Sequence, residues 1–158
     1  MTETPPKLIS KKRPLSIYNM WVRNYAEHEN GAFAGMTQDL DRVAKDGYNA
    51  LYLNPFYQVG AYPKKTGEVG SLYATSDMSR ANPALFAGQQ GKFIEDGQVT
   101  ELGQQVQTFT QKAKAQGITP MFDLVQGQLS PDSPYIEDAK SLEIDILLTN
   151  RETGTEVE

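Results

Sequence analysis

The chain has 158 residues, a length that suits a single compact domain with one hydrophobic core. Its composition, 39% hydrophobic and 22% charged, is ordinary for a globular protein, and no apolar run approaches the roughly 20 residues that a membrane-spanning helix needs. A net charge of −5 argues against binding to nucleic-acid phosphates. The lack of cysteine excludes disulfide bonds, thiol catalysis and cysteine zinc sites.

The first 14 residues predict a polar amino-terminal arm. The segment Met1–Ser10, followed by the basic cluster Lys11–Arg13, contains no apolar stretch, so this part of the chain does not resemble a secretory signal. We therefore expect residence in the cytoplasm, and we place the folded domain at residues 15–158.

The first strand and the first helix are predicted from apolar residues near the start of the domain. Leu15–Val22 is so continuously apolar that it predicts a buried strand. Thr37 is a candidate N-cap for a short helix that places Leu40 and Val43 on one face. Gly47 follows directly and predicts the end of that helix.

The second strand is predicted at Asn49–Leu53. Asn54 and Pro55 end it, because the proline ring removes a backbone donor. A loop of unusual length is predicted between Phe56 and Thr100, since this segment is rich in Gly, Pro, Ser, Gln and Asn. Connections of this length are usually functional or disordered.

The remaining elements alternate between helix and strand. A helix is predicted between Thr100 and Gln116, with Gly117 as its stop, and a third strand follows at Ile118–Val125. Ser133 and Pro134 predict the N-cap and first residue of a helix that reaches about Ser141. Ile144–Thr149 is a candidate fourth strand, and Arg151–Glu158 is interpreted as its turn and return. This order predicts an α/β fold with a parallel sheet.

Several segments carry a more specific pattern: Gly47–Phe56, Ser71–Ala74 with Asp77, Asn82 with Pro83, and Gly117–Val125. In order and spacing they resemble the second barrel strand, the second loop and the third strand of the alpha-amylase family of glycoside hydrolases. The resemblance implies the amino-terminal part of that family's (β/α)8 barrel, truncated to three or four βα units with a long loop after the second strand. The alternative is an unrelated α/β domain, in which the segments around Leu15, Ala50 and Met121 are not adjacent parallel strands.

Two local features resemble a branch of bacterial maltosyltransferases that use maltose 1-phosphate. Lys64 and Lys65 precede the Gly70–Ala74 motif, and Gln128 leads into Ser130, Pro131, Asp132 and Pro134. One feature departs from the wider family, in which many members continue the third strand into an Asn-His pair. Here those places hold Gly127 and Gln128. The implied ligand is thus an α-1,4-glucan or maltose 1-phosphate.

The same resemblance implies which chemistry the chain lacks. Retaining glycosidic chemistry needs two carboxylates about 5 to 5.5 Å apart, and in this family they follow the fourth and fifth strands, with a third acid after the seventh. No catalytic residue, metal or cofactor is therefore assigned to this chain, which we expect to be an inactive piece of a glycoside hydrolase or glucanotransferase. The alternative is a non-catalytic glucan-binding or protein-interaction module derived from such a barrel.

The resemblance implies six candidate substrate-binding residues: Asn54, Lys65, Tyr73, Asp77, Asp123 and Gln128. Tyr73 is interpreted either as the aromatic residue that packs on the innermost sugar or as a tyrosine of the barrel rim. Gln128 is interpreted either as a partner for a sugar hydroxyl or as a brace for its loop. Lys65 either meets a substrate phosphate or is a solvated loop residue.

For Asn54, Asp77 and Asp123 the resemblance implies structural support, and for the two aspartates direct contact with the sugar is the alternative. Asp77 and Asp123 resemble carboxylates that orient loops and neighbouring side chains. Asn54 is predicted to brace the turn after the second strand. Three parallel strands would also leave unpaired edges, so we expect a partner chain or self-association to cover the open sheet.

Overall fold

A computed structural model of the chain describes residues 14–61, 71–141, 148–149 and 156–157. The α-helices in these ranges are α1 (Ala32–Lys45), α2 (Glu101–Ala115) and α3 (Pro134–Ser141). The strands are β1 (Ile17–Met20), β2 (Ala50–Leu53), β3 (Tyr57–Val59), β4 (Thr75–Ala81), β5 (Ile94–Glu95), β6 (Gln98–Val99), β7 (Thr119–Phe122), β8 (Leu148–Thr149) and β9 (Glu156–Val157). Short 3-10 helices lie at Val22–Tyr25 and Pro83–Leu85.

The centre of the fold is a parallel sheet in the order β1, β2, β7. Its register pairs Ile17 with Ala50 and Ala50 with Thr119, and Leu53 lies opposite Phe122 at the other end. Because all three strands point the same way, their carboxyl ends meet along one edge, which we call the rim. The predicted side-by-side arrangement is confirmed, and the alternative of an unrelated topology is wrong.

Helix α1 is longer than predicted. It begins at Ala32 after Gly31, whose φ of +82° suits glycine, and Thr37 lies inside it. The Thr37 hydroxyl donates to the carbonyl oxygen of Phe33 at 2.7 Å, which satisfies it within the helix. The prediction that Thr37 is an N-cap was therefore wrong. The stop at Gly47 is confirmed by its φ of +86°.

Strand β1 is shorter and more exposed than predicted. Only Ile17–Met20 is extended, and Leu15 is 52%, Ile17 46% and Trp21 39% exposed. The prediction of a wholly buried strand was wrong because β1 lies at the edge of the described sheet, with β2 on one side only. Val22 is buried, but it already belongs to the following 3-10 helix.

The segment between β2 and α2 is not the structureless loop that its composition predicted. Strands β3 and β4 form an antiparallel hairpin with register shifts at Gln58, and β5 and β6 form a second short hairpin. The prediction failed because β4 carries Thr75, Ser76 and Asp77, which are polar but buried. Residues 62–70 of this segment lie outside the described ranges.

The elements around β7 agree well with prediction. The Thr100 hydroxyl accepts from the backbone N–H of Gly103 at 3.2 Å and caps α2, and Gly117 has a φ of +76°. Strand β7 covers the middle of the predicted Ile118–Val125 segment. The Ser133 hydroxyl accepts from the backbone N–H of Tyr135 at 3.3 Å, so the predicted start of α3 at Pro134 is confirmed.

The last pairing differs from a fourth barrel strand. Leu148 pairs with Val157 and Thr149 with Glu156 in an antiparallel arrangement, separate from the β1, β2, β7 sheet. The predicted return is confirmed for Glu156 and Val157, and residues 150–155, where the turn was predicted, lie outside the described ranges. Residues 144–147 and the arm at 1–13 lie outside the described ranges.

Phe33 lies at the centre of the hydrophobic core, where three other phenylalanine rings pack around it. The Phe33 ring lies 5.0 Å from that of Phe56, 5.4 Å from Phe86 and 5.6 Å from Phe109, measured between centroids. All four side chains are at most 5% exposed. Aromatic pairs of this kind contribute about 0.5 to 1.5 kcal/mol each beyond burial, so this cluster fixes the backbone on which the rim stands. In the part of the chain described here, no helix has the length and apolarity to cross a membrane.

Candidate functional site

Side chains from three separate segments meet at the rim. Asn54 follows β2, Asp123 follows β7, and Tyr73 lies in the turn before β4. The Tyr73 hydroxyl donates to Asp123 Oδ2 at 2.8 Å and accepts from Asn54 Nδ2 at 3.1 Å. The structure thus joins three of the six residues that the sequence pointed to by side-chain hydrogen bonds, and a fourth, Gln128, bonds to the backbone of Tyr73.

Tyr52 joins the same group and was missed by sequence reasoning. Its hydroxyl donates to the same oxygen, Asp123 Oδ2, at 2.5 Å. The alternation of side chains along a strand could have indicated this residue. Tyr52 lies between the buried Leu51 and Leu53, so its side chain must face the other side of the sheet. Its partner in register is Met121, so Asp123, two residues on, faces the same side.

The environment of Asp123 raises the pKa values of two nearby tyrosines, Tyr52 and Tyr57. The bond to Asp123, followed by loss of solvent, raises the pKa of Tyr52 to about 12. Burial and then the charge of Asp123 raise the pKa of Tyr57. The Asp123 carboxylate is the acceptor that the hydroxyls of Tyr52 and Tyr73 share.

Asn54 is the most enclosed of these residues. It is 3% exposed, and its Oδ1 atom is buried with no hydrogen-bond partner among the described residues. The amide nitrogen is directed at Tyr73, so Asn54 links the end of β2 to the turn that carries this tyrosine.

Gln128 reaches the group through the backbone. Its Nε2 atom donates to the carbonyl oxygen of Tyr73 at 2.7 Å, while the side chain remains exposed. An exposed amide has further donor and acceptor capacity beyond that one bond. We refer to Tyr52, Asn54, Tyr73, Asp123 and Gln128 as the rim cluster.

Asp77 is separate from the rim cluster. Its Oδ1 atom accepts from the Ser79 backbone at 2.8 Å, the Ser79 hydroxyl at 2.7 Å and the Tyr135 hydroxyl at 2.7 Å. Its Oδ2 atom lies 3.5 Å from Arg80 Nε. Burial raises the pKa of Asp77, but the hydrogen bonds from Ser79 and Tyr135 and the charge of Arg80 outweigh it, so the pKa is lowered. These contacts join β4 to α3.

The other predicted site residue, Lys65, lies outside the described residues, as do Lys64 and Gly70. Among the residues that the structure describes, no three His, Cys, Asp or Glu side chains are grouped so that they could hold a metal ion.

Within the rim cluster, Tyr52, Tyr73 and Asp123 are partly buried and Gln128 is exposed. Two surface depressions of about 470 and 500 Å³ lie elsewhere, one beside His28 and Asp39 and the other beside Lys92 and Glu101. Neither includes a rim-cluster residue. The cluster offers aromatic rings, a shared carboxylate and an exposed amide, which are the groups that recognise a ligand rich in hydroxyls.

No family model matches the chain. In sequence it is 29% identical, over 123 residues, to the alpha-1,4-glucan:maltose-1-phosphate maltosyltransferase of Chlorobaculum tepidum, a match that covers 77% of this chain and 18% of that protein. The chain therefore spans about a fifth of that relative's length.

Solved structures support the relationship. An alpha-amylase from Lactobacillus plantarum superposes with a TM-score of 0.65 and 28% identity, covering 91% of this chain and 29% of that one. A maltogenic alpha-amylase from Thermotoga neapolitana, at 21% identity, gives the same TM-score of 0.65 over 87% of this chain and 28% of that one, which supports the fold. The predicted resemblance is confirmed: in sequence and in fold, the chain is similar to part of the catalytic domain of alpha-amylase family enzymes.

Proposed function

We propose that the chain forms one wall of a binding site for a glucose unit of an α-1,4-glucan or of maltose 1-phosphate, and that the rim cluster is the contact surface. The observation that carries this proposal is the Asp123 carboxylate, which holds the hydroxyls of Tyr52 and Tyr73 together at the carboxyl ends of β2 and β7. In barrel enzymes this end of the strands is where ligands bind.

The proposed roles follow from the contacts. Asp123 orients Tyr52 and Tyr73, so that an aromatic face is presented to the apolar side of a sugar ring. Gln128 supplies hydrogen bonds to sugar hydroxyls from its exposed amide. Asn54 holds the Tyr73 hydroxyl from the side of β2. Asp77 supports the site indirectly, by joining β4 to α3.

The proposal includes no catalysis by these 158 residues alone. The resemblance assigns the nucleophile and the acid to positions after the fourth and fifth strands. The Asp123 carboxylate already accepts from two tyrosines, and the Asp77 carboxylate accepts from Ser79 and Tyr135. We therefore expect the isolated chain to bind sugar without cleaving or transferring it.

Lys65 distinguishes the two candidate ligands. If it meets a substrate phosphate, replacing it with methionine will weaken binding of maltose 1-phosphate and leave maltose binding unchanged. Lys64→Met is the matched control, since it removes the same charge one residue away.

Titration calorimetry tests the proposal directly. We expect maltose and maltose 1-phosphate to bind in the millimolar range, and cellobiose, which has the β-linkage, to give no heat. Tyr73→Ala should abolish the signal while the fold, followed by circular dichroism, is retained. Absence of heat with both maltose compounds at millimolar concentration would overturn the proposal. Incubation with maltohexaose should release no glucose or maltose.

A second candidate function is a protein-interaction module. It is favoured by the exposure of Leu15, Ile17 and Trp21 next to the edge of β1 that has no partner strand among the described residues. Apolar side chains beside such a strand edge suit a partner chain or a second copy of the chain. Sedimentation at increasing concentration separates the two candidates, because a module of this kind associates without sugar.

A further inference from the structure

The segment that follows β7 crosses the β3–β4 hairpin and is bonded to it at several points. The Ser130 backbone N–H donates to the carbonyl oxygen of Thr75 at 2.8 Å. The Ser133 hydroxyl donates to the carbonyl oxygen of Ser76 at 2.5 Å. Ser130 and Ser133 are each only 2% exposed, so these are enclosed bonds rather than surface contacts.

Asp132 closes this crossing on its outer side. Its Oδ1 atom accepts from the Ser130 hydroxyl at 2.5 Å, and its Oδ2 atom accepts from the backbone N–H of Ala61 at 2.6 Å. One carboxylate thus joins its own turn to the residues that follow β3. Hydrogen bonds to a charged acceptor are roughly twice as strong as neutral ones.

Gly60 makes the close approach possible. A Cβ atom at this position would lie 1.9 Å from Ser130 Oγ and 2.2 Å from Asp132 Oδ1, far inside contact distance. The backbone N–H of Gly60 donates to the carbonyl oxygen of Ala74 at 2.9 Å. The glycine is therefore required for space, and it lies directly across the hairpin from the residue that follows Tyr73.

The same crossing determines where the rim cluster's Gln128 lies. Gln128 donates to the carbonyl oxygen of Tyr73. Two residues later in each segment, the Ser130 backbone N–H donates to the carbonyl oxygen of Thr75. The two segments therefore run beside each other over this stretch. If the bonds of Asp132 are lost, the turn after Ser130 is no longer fixed, and the preceding residues that hold Gln128 against Tyr73 are less constrained.

We propose that Asp132 is a positioning residue for the sugar site: with Gly60 and Ser130 it forms a latch that holds Gln128 against Tyr73. This inference rests on the proposed function where it concerns sugar affinity. Its geometric part, the coupling of Asp132 to the Gln128–Tyr73 contact, has a readout of its own.

The test compares the full chain with Asp132→Ala, Asp132→Asn and Gly60→Ala by nuclear magnetic resonance, with maltose as the probe. The Asn variant can rebuild both bonds, because its amide oxygen accepts from Ala61 and its nitrogen donates to the Ser130 hydroxyl. Gly60→Ala opens the same turn without removing the carboxylate. Glu27→Ala, which removes an exposed charge elsewhere, is the control.

We expect Asp132→Ala and Gly60→Ala to expose the Ala61 amide to exchange, shift the side-chain amide signals of Gln128 and weaken maltose binding about threefold to tenfold. Asp132→Asn should restore most of the affinity, and Glu27→Ala should change nothing. If Ala61 loses protection but the Gln128 signals and the affinity stay unchanged, the latch is not a positioning device and the inference fails, while the proposed function stands. If the unmodified chain binds no maltose, the proposed function fails, and the Gln128 signals alone decide whether the coupling exists.

Discussion

Tyr73 and Asp123 are 50 residues apart in sequence, and their side chains meet at 2.8 Å on the rim of the sheet. This bond joins the turn before β4 to the end of β7. Because Tyr52 donates to the same carboxylate oxygen, the aspartate orients two phenol rings at once. The surface that results is the basis of the proposed sugar site.

Removing the Tyr73 hydroxyl tests this arrangement. Tyr73→Phe leaves the ring but deprives Asp123 of one donor and Asn54 of an acceptor. We expect the free energy of unfolding in urea to fall by about 1 kcal/mol and maltose binding to weaken. Tyr48→Phe is the matched control, because the Tyr48 ring packs against Tyr18, at 5.2 Å between centroids, and not against the rim cluster. Equal effects of the two substitutions would argue against a special role for the rim hydroxyl.

The pKa of Tyr52 gives a prediction at alkaline pH. Since the folded-state pKa of about 12 lies above the ordinary value of 10.0, the contribution of Tyr52 to stability is fully present below pH 10 and is lost as the pH rises through 12. Spectrophotometric titration of phenol ionisation should show several tyrosines that titrate late, because the pKa values of Tyr25, Tyr57 and Tyr135 are raised as well as that of Tyr52. In Asp123→Asn fewer phenols should titrate late, and an unchanged number would show that the pKa of Tyr52 is raised by something other than Asp123.

The lowered pKa of Asp77 gives a prediction at acid pH. Its ionised form is favoured by the fold, so its contribution is present above the unfolded pKa of about 3.9 and is lost as the pH falls through the lower folded value. Asp77→Asn should therefore destabilise the chain by about 1 to 3 kcal/mol at pH 7, and the difference from the unmodified chain should shrink below about pH 4. Asp46→Asn, which disturbs only an exposed pair with Arg42, should cost less than about 0.5 kcal/mol. A difference that stays constant from pH 7 to pH 3 would contradict the account.

The two threonines test where the helices begin. Thr100 caps α2, so Thr100→Ala should cost about 1 kcal/mol of stability. Thr37 lies within α1 and bonds to the carbonyl oxygen of Phe33, so Thr37→Ala should be neutral or slightly stabilising, since alanine favours helix interiors. Thermal unfolding measures both. A larger loss at Thr37 than at Thr100 would show that α1 begins later than described.

Much of the parallel sheet could be predicted from sequence, because β2 and β7 are short apolar segments bounded by Gly47, Pro55 and Gly117. The start of α1 could not, since Gly31 takes the N-cap place without a side-chain signal while Thr37 offers a false one. The hairpin of β3 and β4 was hidden by buried polar residues such as Thr75 and Ser76. Their burial depends on contacts with distant segments, which no local pattern contains.

The candidate site also contains residues that were predicted from the sequence and one, Tyr52, that was not. Asn54, Tyr73 and Asp123 were found through the family resemblance, and the structure places them in contact. Tyr52 was missed because its role appears only once β2 and β7 are paired in register. The separation of Asp77 from the rim cluster likewise follows from the three-dimensional path of β4, which carries it towards Tyr135.

Nuclear magnetic resonance of the isotope-labelled chain, titrated with maltose, shows whether a glucose unit binds on the rim cluster. We expect saturable shifts at Tyr52, Tyr73, Asp123 and Gln128, and none at the hairpin of β5 and β6. Shifts confined to other surfaces, or no shifts at millimolar maltose, would show that the rim cluster is not the sugar site.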